Sequence, residues 1–181
     1  APTEVPFASK ERQEDLAYYI SLYASFEADT PAGALRFTGA GPAVATSAEQ
    51  RMMAEWASLV TQEAETGRAD ASWGLAMTWH REGGFAGFCD DLAVYSVGHG
   101  LPSTCQTEPP TTLGKRWLAA GQTDQLLGWI DALASFEYGK KDPATADAMT
   151  VQLVFAGTGA DEATEQDQQA MLDFAAWLTT Y

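Results

Sequence analysis

The feature that most restricts how this chain can fold is a repeat within it. Leu35-Arg36-Phe37-Thr38-Gly39-Ala40-Gly41 returns as Leu153-Val154-Phe155-Ala156-Gly157-Thr158-Gly159. The ungapped match continues through Ala45-Thr46 against Ala163-Thr164, Gln50 against Gln168, Met53 against Met171 and Ala57 against Ala175. Nine of the 26 positions from Leu35 to Val60 are identical at an offset of 118. Upstream, Leu16, Ile20 and Ala24-Ser25-Phe26-Glu27 match Leu126, Ile130 and Ala134-Ser135-Phe136-Glu137 at an offset of 110. The eight-residue difference falls in Gly139–Pro143, read as a loop where an insertion costs little. Two matching blocks in the same order point to duplication.

Each copy reads as helix–strand–helix. Leu16, Tyr19, Ile20 and Tyr23 form one apolar stripe at helical spacing, and Leu126, Trp129, Ile130 and Leu133 form its counterpart. A short strand follows, Ala34–Thr38 or Thr150–Ala156, and ends in a Gly-x-Gly turn read as needing positive φ. Thr46-Ser47-Ala48-Glu49 has the form of a capping box at the start of the second helix, with Thr164-Glu165-Gln166-Asp167 a looser equivalent. Met53, Trp56, Ala57 and Val60 then supply a buried stripe, echoed by Met171, Phe174, Ala175 and Leu178.

Between the copies, Leu75, Met77 and Trp79 alternate with Ala76, Thr78 and His80 at the period of a strand. Glu82-Gly83-Gly84 interrupts it, the paired glycines signalling a bulge or a close backbone approach. Extended character resumes from Phe85 to Tyr95, and a Gly98-His99-Gly100 turn leads into a returning strand, Leu101–Gln106. Cys89 and Cys105 flank this hairpin, so paired strands would bring them within disulfide reach; two separate buried thiols are the alternative. The expected fold is α+β: an antiparallel sheet with packed helices, a duplicated helix–strand–helix unit and a disulfide-linked central β-hairpin. Residues 1–70 hold the first unit and 71–181 the hairpin and the second unit, packed into one body.

Ten basic against 25 acidic side chains leave a formal charge of −15, which argues against nucleic acid and against an anionic membrane surface. No apolar run approaches the roughly 20 residues that span a bilayer. A disulfide implies an oxidising compartment, and an Ala1 without an initiator Met reads as a mature chain whose export signal is gone. Localisation is therefore expected to be secreted or cell-envelope. The Gly-x-Gly turns lack the third glycine and the Lys-Ser/Thr of phosphate-binding loops, so no cofactor is expected. His80 and Glu82 would share a strand face, but zinc catalysis wants three protein ligands and the only other histidine is His99. No metal and no catalytic residues are therefore assigned.

The segment Arg81-Glu82-Gly83-Gly84-Phe85-Ala86-Gly87 at the end of a strand resembles the emfourins, small bacterial inhibitors of thermolysin-like metalloproteases. The resemblance covers about residues 75–181, with a helix at Asp124–Phe136, a strand at Thr150–Ala156 and a closing helix at Gln166–Thr179 in the same order. It implies a bacterial, exported, non-enzymatic module whose partner is another protein, a secreted protease being the concrete case. Arg81, Gly83, Gly84, Phe85, Ala86 and Gly87, together with Gly98, His99 and Gly100, are the expected contact residues. The competing reading is a carboxylate-based hydrolase or small-ligand binder in a groove between the halves, lined by Tyr18, Tyr19 and Trp129. A structural domain of a cell-envelope lipoprotein fits the composition equally well.

Overall fold

The computed structural model describes residues 9–141 and 148–180. Ala1-Pro2-Thr3, on which the export reading rests, and Asp142-Pro143 of the expected loop lie outside the described residues. The protein is α+β, with helices and two antiparallel sheets. No described helix is long and apolar enough to cross a membrane. The chain folds as two compact units: one runs to Trp73 and includes Ala119–Leu127, the other holds Gly74–Leu118 and the chain from Gly128 on.

The first unit runs α1 (Lys10–Leu22), β1 (Ala24–Thr30), β2 (Gly33–Ala40) and α2 (Ser47–Thr66), joined by the start of α3 (Ala120–Ala132). β1 and β2 form an antiparallel hairpin with Glu27 opposite Arg36. Its core holds Tyr19, Tyr23, Met52, Met53, Trp56, Leu126 and Leu127. Tyr19 meets Trp56 edge-on, ring centroids 5.4 Å apart. The expected stripe on α1 is corrected: Leu16 and Ile20 are exposed, and Arg12 and Asp15 are buried with Tyr19. Arg12 is accommodated because Nε and Nη2 donate to the two Glu63 oxygens at 3.1 and 3.0 Å while Nη2 also reaches the Asp70 carbonyl. A charge buried in this way needs such a bidentate partner. Glu49 is buried too; it accepts from Tyr23 Oη at 2.7 Å and closes the capping box onto Thr46 N at 2.8 Å. Burial pushes its carboxyl above the ordinary value despite those donors.

The second unit adds β3 (Leu75–Gly83), β4 (Phe88–Tyr95), β5 (His99–Thr104), β6 (Thr111–Thr112), β7 (Arg116–Trp117), β8 (Ala134–Lys141), β9 (Thr150–Thr158) and α4 (Glu165–Thr179). Its sheet runs β6-β5-β4-β3-β9-β8, with β7 also paired to β5. Met77, Trp79, Leu92, Val94, Leu153 and Phe155 are buried on one side of it, as are Met171, Phe174, Ala175 and Leu178 of α4. That α4 stripe is the one its periodicity predicts. On the other side Thr78, His80, Asp91, Ser103, Gln152 and Val154 line an open hollow of about 300 Å³.

Each of the two segments read as helix–strand–helix contains one more strand than expected. Ser25-Phe26-Glu27 and Ser135-Phe136-Glu137 are strand, and α3 stops at Ala132 rather than running to Phe136. The alternation of half-buried and exposed residues along both strands is a two-residue period that a helical reading overlooks. Gly139–Lys141 likewise continues β8. The two α–β–β–α segments share local devices. Each opens its first strand with a register shift, at Ala24/Phe26 or Ala134/Phe136. Tyr23 bridges Ala43 in parallel, as Leu133 bridges Asp161. The Thr164–Asp167 capping box is complete, like that of Thr46 and Glu49.

The Gly-x-Gly turns have a different cause from the one expected. None of Gly39, Gly41, Gly157 and Gly159 has positive φ. A Cβ on Gly39 or Gly157 would lie 2.0 Å from the carbonyl oxygen of Tyr23 or Leu133, so the requirement is close approach of the strand to the end of the preceding helix. Gly157→Ala is expected to lose about 3 kcal/mol in urea denaturation, whereas Gly128→Ala, on an open helical position, is expected to gain about 0.5–1 kcal/mol. Arg12, by hydrogen bonding, holds the Glu63 carboxyl below the usual carboxylate range. The contribution of Glu63 is thus complete above about pH 4.3 and is lost as pH falls through its lowered value. Glu63→Gln is expected to cost about 3 kcal/mol near neutrality, with the gap to the parent protein narrowing below about pH 4 in the same denaturation series.

Candidate functional site

The expected contact residues separate into two groups. Arg81, Gly83, Gly84, Phe85, Ala86 and Gly87 sit together at the tip of the β3–β4 hairpin, where Gly83 pairs with Phe88. Gly98, His99 and Gly100 lie at the far end of β4, where Tyr95 pairs with His99, roughly 20 Å away for a strand of this length. They are not a second contact loop. The turn there is Ser96–Gly98, and His99 and Gly100 already belong to β5 and are buried. The His99 ring is stacked on Tyr95 at 5.0 Å and meets Trp117 edge-on at 5.4 Å. Its flanking glycines look like a turn in the sequence, but Gly100 instead lets Leu178 approach to where a Cβ would stand 3.4 Å away.

At the tip, the double glycine makes the turn itself rather than a bulge. Gly83, Gly84 and Gly87 have φ of 91°, 74° and 62°, a sequence of left-handed residues that closes the hairpin in four positions. Gly87 N–H donates to the Gly84 carbonyl at 2.9 Å. Gly83 is doubly constrained, because a Cβ there would lie 2.4 Å from the Ala148 carbonyl oxygen. Phe85 projects from this turn with 97% of its surface exposed. Phe88 and Met149 beside it are 38% and 39% exposed, so an apolar patch crowns the hairpin. Phe88 is thus neither buried nor free. Arg81 is not a free contact either. Its guanidinium grips Asp90 through Nε at 3.1 Å and Nη2 at 2.5 Å and lies 3.8 Å over the Phe88 ring, clipping the two strands together.

A disulfide and three hydrogen bonds also hold the tip. Cys89 and Cys105 form the disulfide, with Cα atoms 5.0 Å apart. Cys105 N–H and Thr104 Oγ1 both donate to the Cys89 carbonyl, at 2.9 and 3.1 Å, and Gln106 Nε2 donates to the Gly87 carbonyl at 2.7 Å. Gln106 and Met149 could not be assigned from spacing. Gln106 reaches back across the staple, and Met149 is delivered by the pairing of Glu82 with Thr150.

The opposite face of the hairpin is polar. His80 Nδ1 is 2.7 Å from Asp91 Oδ1, and Nε2 is 3.4 Å from Glu82 Oε2. Partial burial disfavours the imidazolium, but hydrogen bonds and charge from Asp91 and Glu82 outweigh it and raise the His80 pKa. Among the described residues, one group of three potential metal donors converges: His80, Asp91 and Cys105, the last with its sulfur bound in the disulfide. Of the aromatics expected to line a groove, Tyr19 is core at 1% exposure. Comparison with family models, curated proteins and solved structures finds no match to this chain. Replacing both cysteines by Ser is expected to cost about 3 kcal/mol of stability, read by urea denaturation, and to speed proteolytic nicking of Gly84–Gly87.

Proposed function

We propose that this chain is an exported, non-enzymatic protein-binding module that offers the β3–β4 tip to another protein, with inhibition of a secreted metalloprotease as its concrete form. One observation carries the reading: Phe85 is 97% exposed on a four-residue turn tied at its base by a disulfide and the Arg81–Asp90 clip. A large aromatic side chain gains most from leaving water, and a rigid turn loses little conformational freedom when its partner closes on it. Exposed Phe88 and Met149 extend the apolar centre that such a contact needs. The turn itself, Gly84-Phe85-Ala86-Gly87, carries no ionisable side chain, so its contact with a partner would be apolar. The resemblance of Arg81-x-Gly83-Gly84-Phe85-Ala86-Gly87 to emfourins supplies the protease as the first partner to try. The cystine agrees with an extracytoplasmic setting.

The test is residual activity of thermolysin-like proteases incubated with the chain at near-stoichiometric ratios. Inhibition is expected, and Phe85→Ala should weaken it by about 30-fold, the fold-change that corresponds to a 2 kcal/mol anchor, without lowering Tm. Full protease activity across a panel, together with no binding by calorimetry, overturns the inhibitor reading.

A further inference from the structure

The polar face of the hairpin carries a second arrangement, independent of the partner at the tip. His80 on β3, Asp91 on β4 and Cys105 just after β5 each present one ligand atom, and the three lie within 4.8 Å of one another. The Cys89 sulfur stands outside that group but is bonded to the Cys105 sulfur, so side-chain rotation after the bond opens would bring it to the same point. One ring nitrogen, one carboxylate oxygen and two sulfurs are the donor types and the number that a tetrahedral zinc site uses. In the disulfide the sulfurs are spoken for; as thiolates they are strong metal ligands. We propose that reduction of the Cys89–Cys105 bond converts this cluster into a zinc-binding site with Cys89, Cys105, His80 and Asp91 as ligands.

The chemistry balances with a dithiol reductant. It gives up two electrons and two protons and closes to its own disulfide, while the Cys89–Cys105 bond breaks to two thiols. Each thiol then releases its proton to solvent as its sulfur bonds the metal. Little rearrangement is required. His80 Nδ1 and Asp91 Oδ1 are 2.7 Å apart, and tetrahedral bonds of about 2.0–2.1 Å would separate them by about 3.3 Å. A zinc ion therefore takes the place of the proton they share, which is released to solvent, after a shift of about 0.6 Å. Two thiolates in such a site stand about 3.8 Å apart, a distance reached by side-chain rotation on Cα atoms already 5.0 Å apart. The strands hold the donors in place without the sulfur bond. His80 pairs with Asp91, Asp90 pairs with Thr104, and Cys105 N–H still donates to the Cys89 carbonyl. Glu82, 3.4 Å from Nε2, is placed to orient the ring through its other nitrogen, as outer carboxylates do for metal-bound histidines.

The experiment titrates Co²⁺ into the full chain after anaerobic reduction with a phosphine and removal of the excess. Circular dichroism is recorded before and after metal addition. Expected are the visible bands of tetrahedral cobalt and a near-ultraviolet thiolate charge-transfer band, both saturating at one ion per chain and both abolished by Zn²⁺. The oxidised chain and the Cys89→Ser/Cys105→Ser variant should show neither. His80→Gln and Asp91→Asn should each weaken binding by at least about 10-fold, and Glu82→Gln by about 10-fold. A reduced chain that loses strand signal and regains it with zinc also supports the site. A reduced, folded chain without tetrahedral bands overturns the proposal, as does one that stays unfolded with zinc. Bands that persist unchanged in His80→Gln and Asp91→Asn overturn it too, since the thiolates alone would then account for them.

Discussion

Two-sided hydrogen bonding of β3 underlies both candidate sites. From Met77 to Glu82 this strand is paired with β4 on one edge and β9 on the other, so its residues cannot twist out of register. Alternation then sorts them without ambiguity. Trp79 is buried and Arg81 lies over the Phe88 ring, while His80 lines the open hollow and lies within bonding distance of Glu82. Beyond Glu82 only β4 accompanies the strand, and there the chain turns back at Gly84. The tip owes its position to that end of pairing, and the polar cluster owes its convergence to the registers just before it.

Much of this is legible in the chain because the signals are local. Capping boxes depend on residues three apart, and both are present as spelled by Thr46–Glu49 and Thr164–Asp167. The cystine can be inferred because its two halves flank one hairpin, and the α4 stripe because burial there follows helical spacing. What the sequence hides depends on residues far apart. Arg12 looks like a surface charge until Glu63 and the Asp70 carbonyl arrive from a helix and loop some fifty residues on. His99 reads as a turn residue because glycines flank it, whereas the rings of Tyr95 and of Trp117, the latter brought in by β7, cover it. Gly39 and Gly157 show the same limit: the sequence announces a glycine but not whether backbone conformation or crowding demands it.

The tip is legible for partly the wrong reason. The paired glycines suggest a bulge or a close backbone approach; the structure has the close approach, at Gly83 against the Ala148 carbonyl, and a turn in place of the bulge, and Phe85 lies outside. Arg81 belongs to the motif by sequence but serves the frame, committing its charge to Asp90. Around this neutral crown the chain carries a formal charge of −15, so long-range attraction would favour cationic partners and speed their arrival, while the apolar residues would govern how long they stay.

The crowding at Gly83 has a consequence for how such a protein can diversify. No side chain fits there, because the Ala148 carbonyl occupies the space and the backbone is left-handed. Ala86 and Phe85, one and two positions short of the last glycine, are exposed and meet no such restriction. Descendants of this chain would thus inherit an unalterable hinge-pin beside two freely exchangeable letters, and the chemistry of the crown could be rewritten while the scaffold stays untouched.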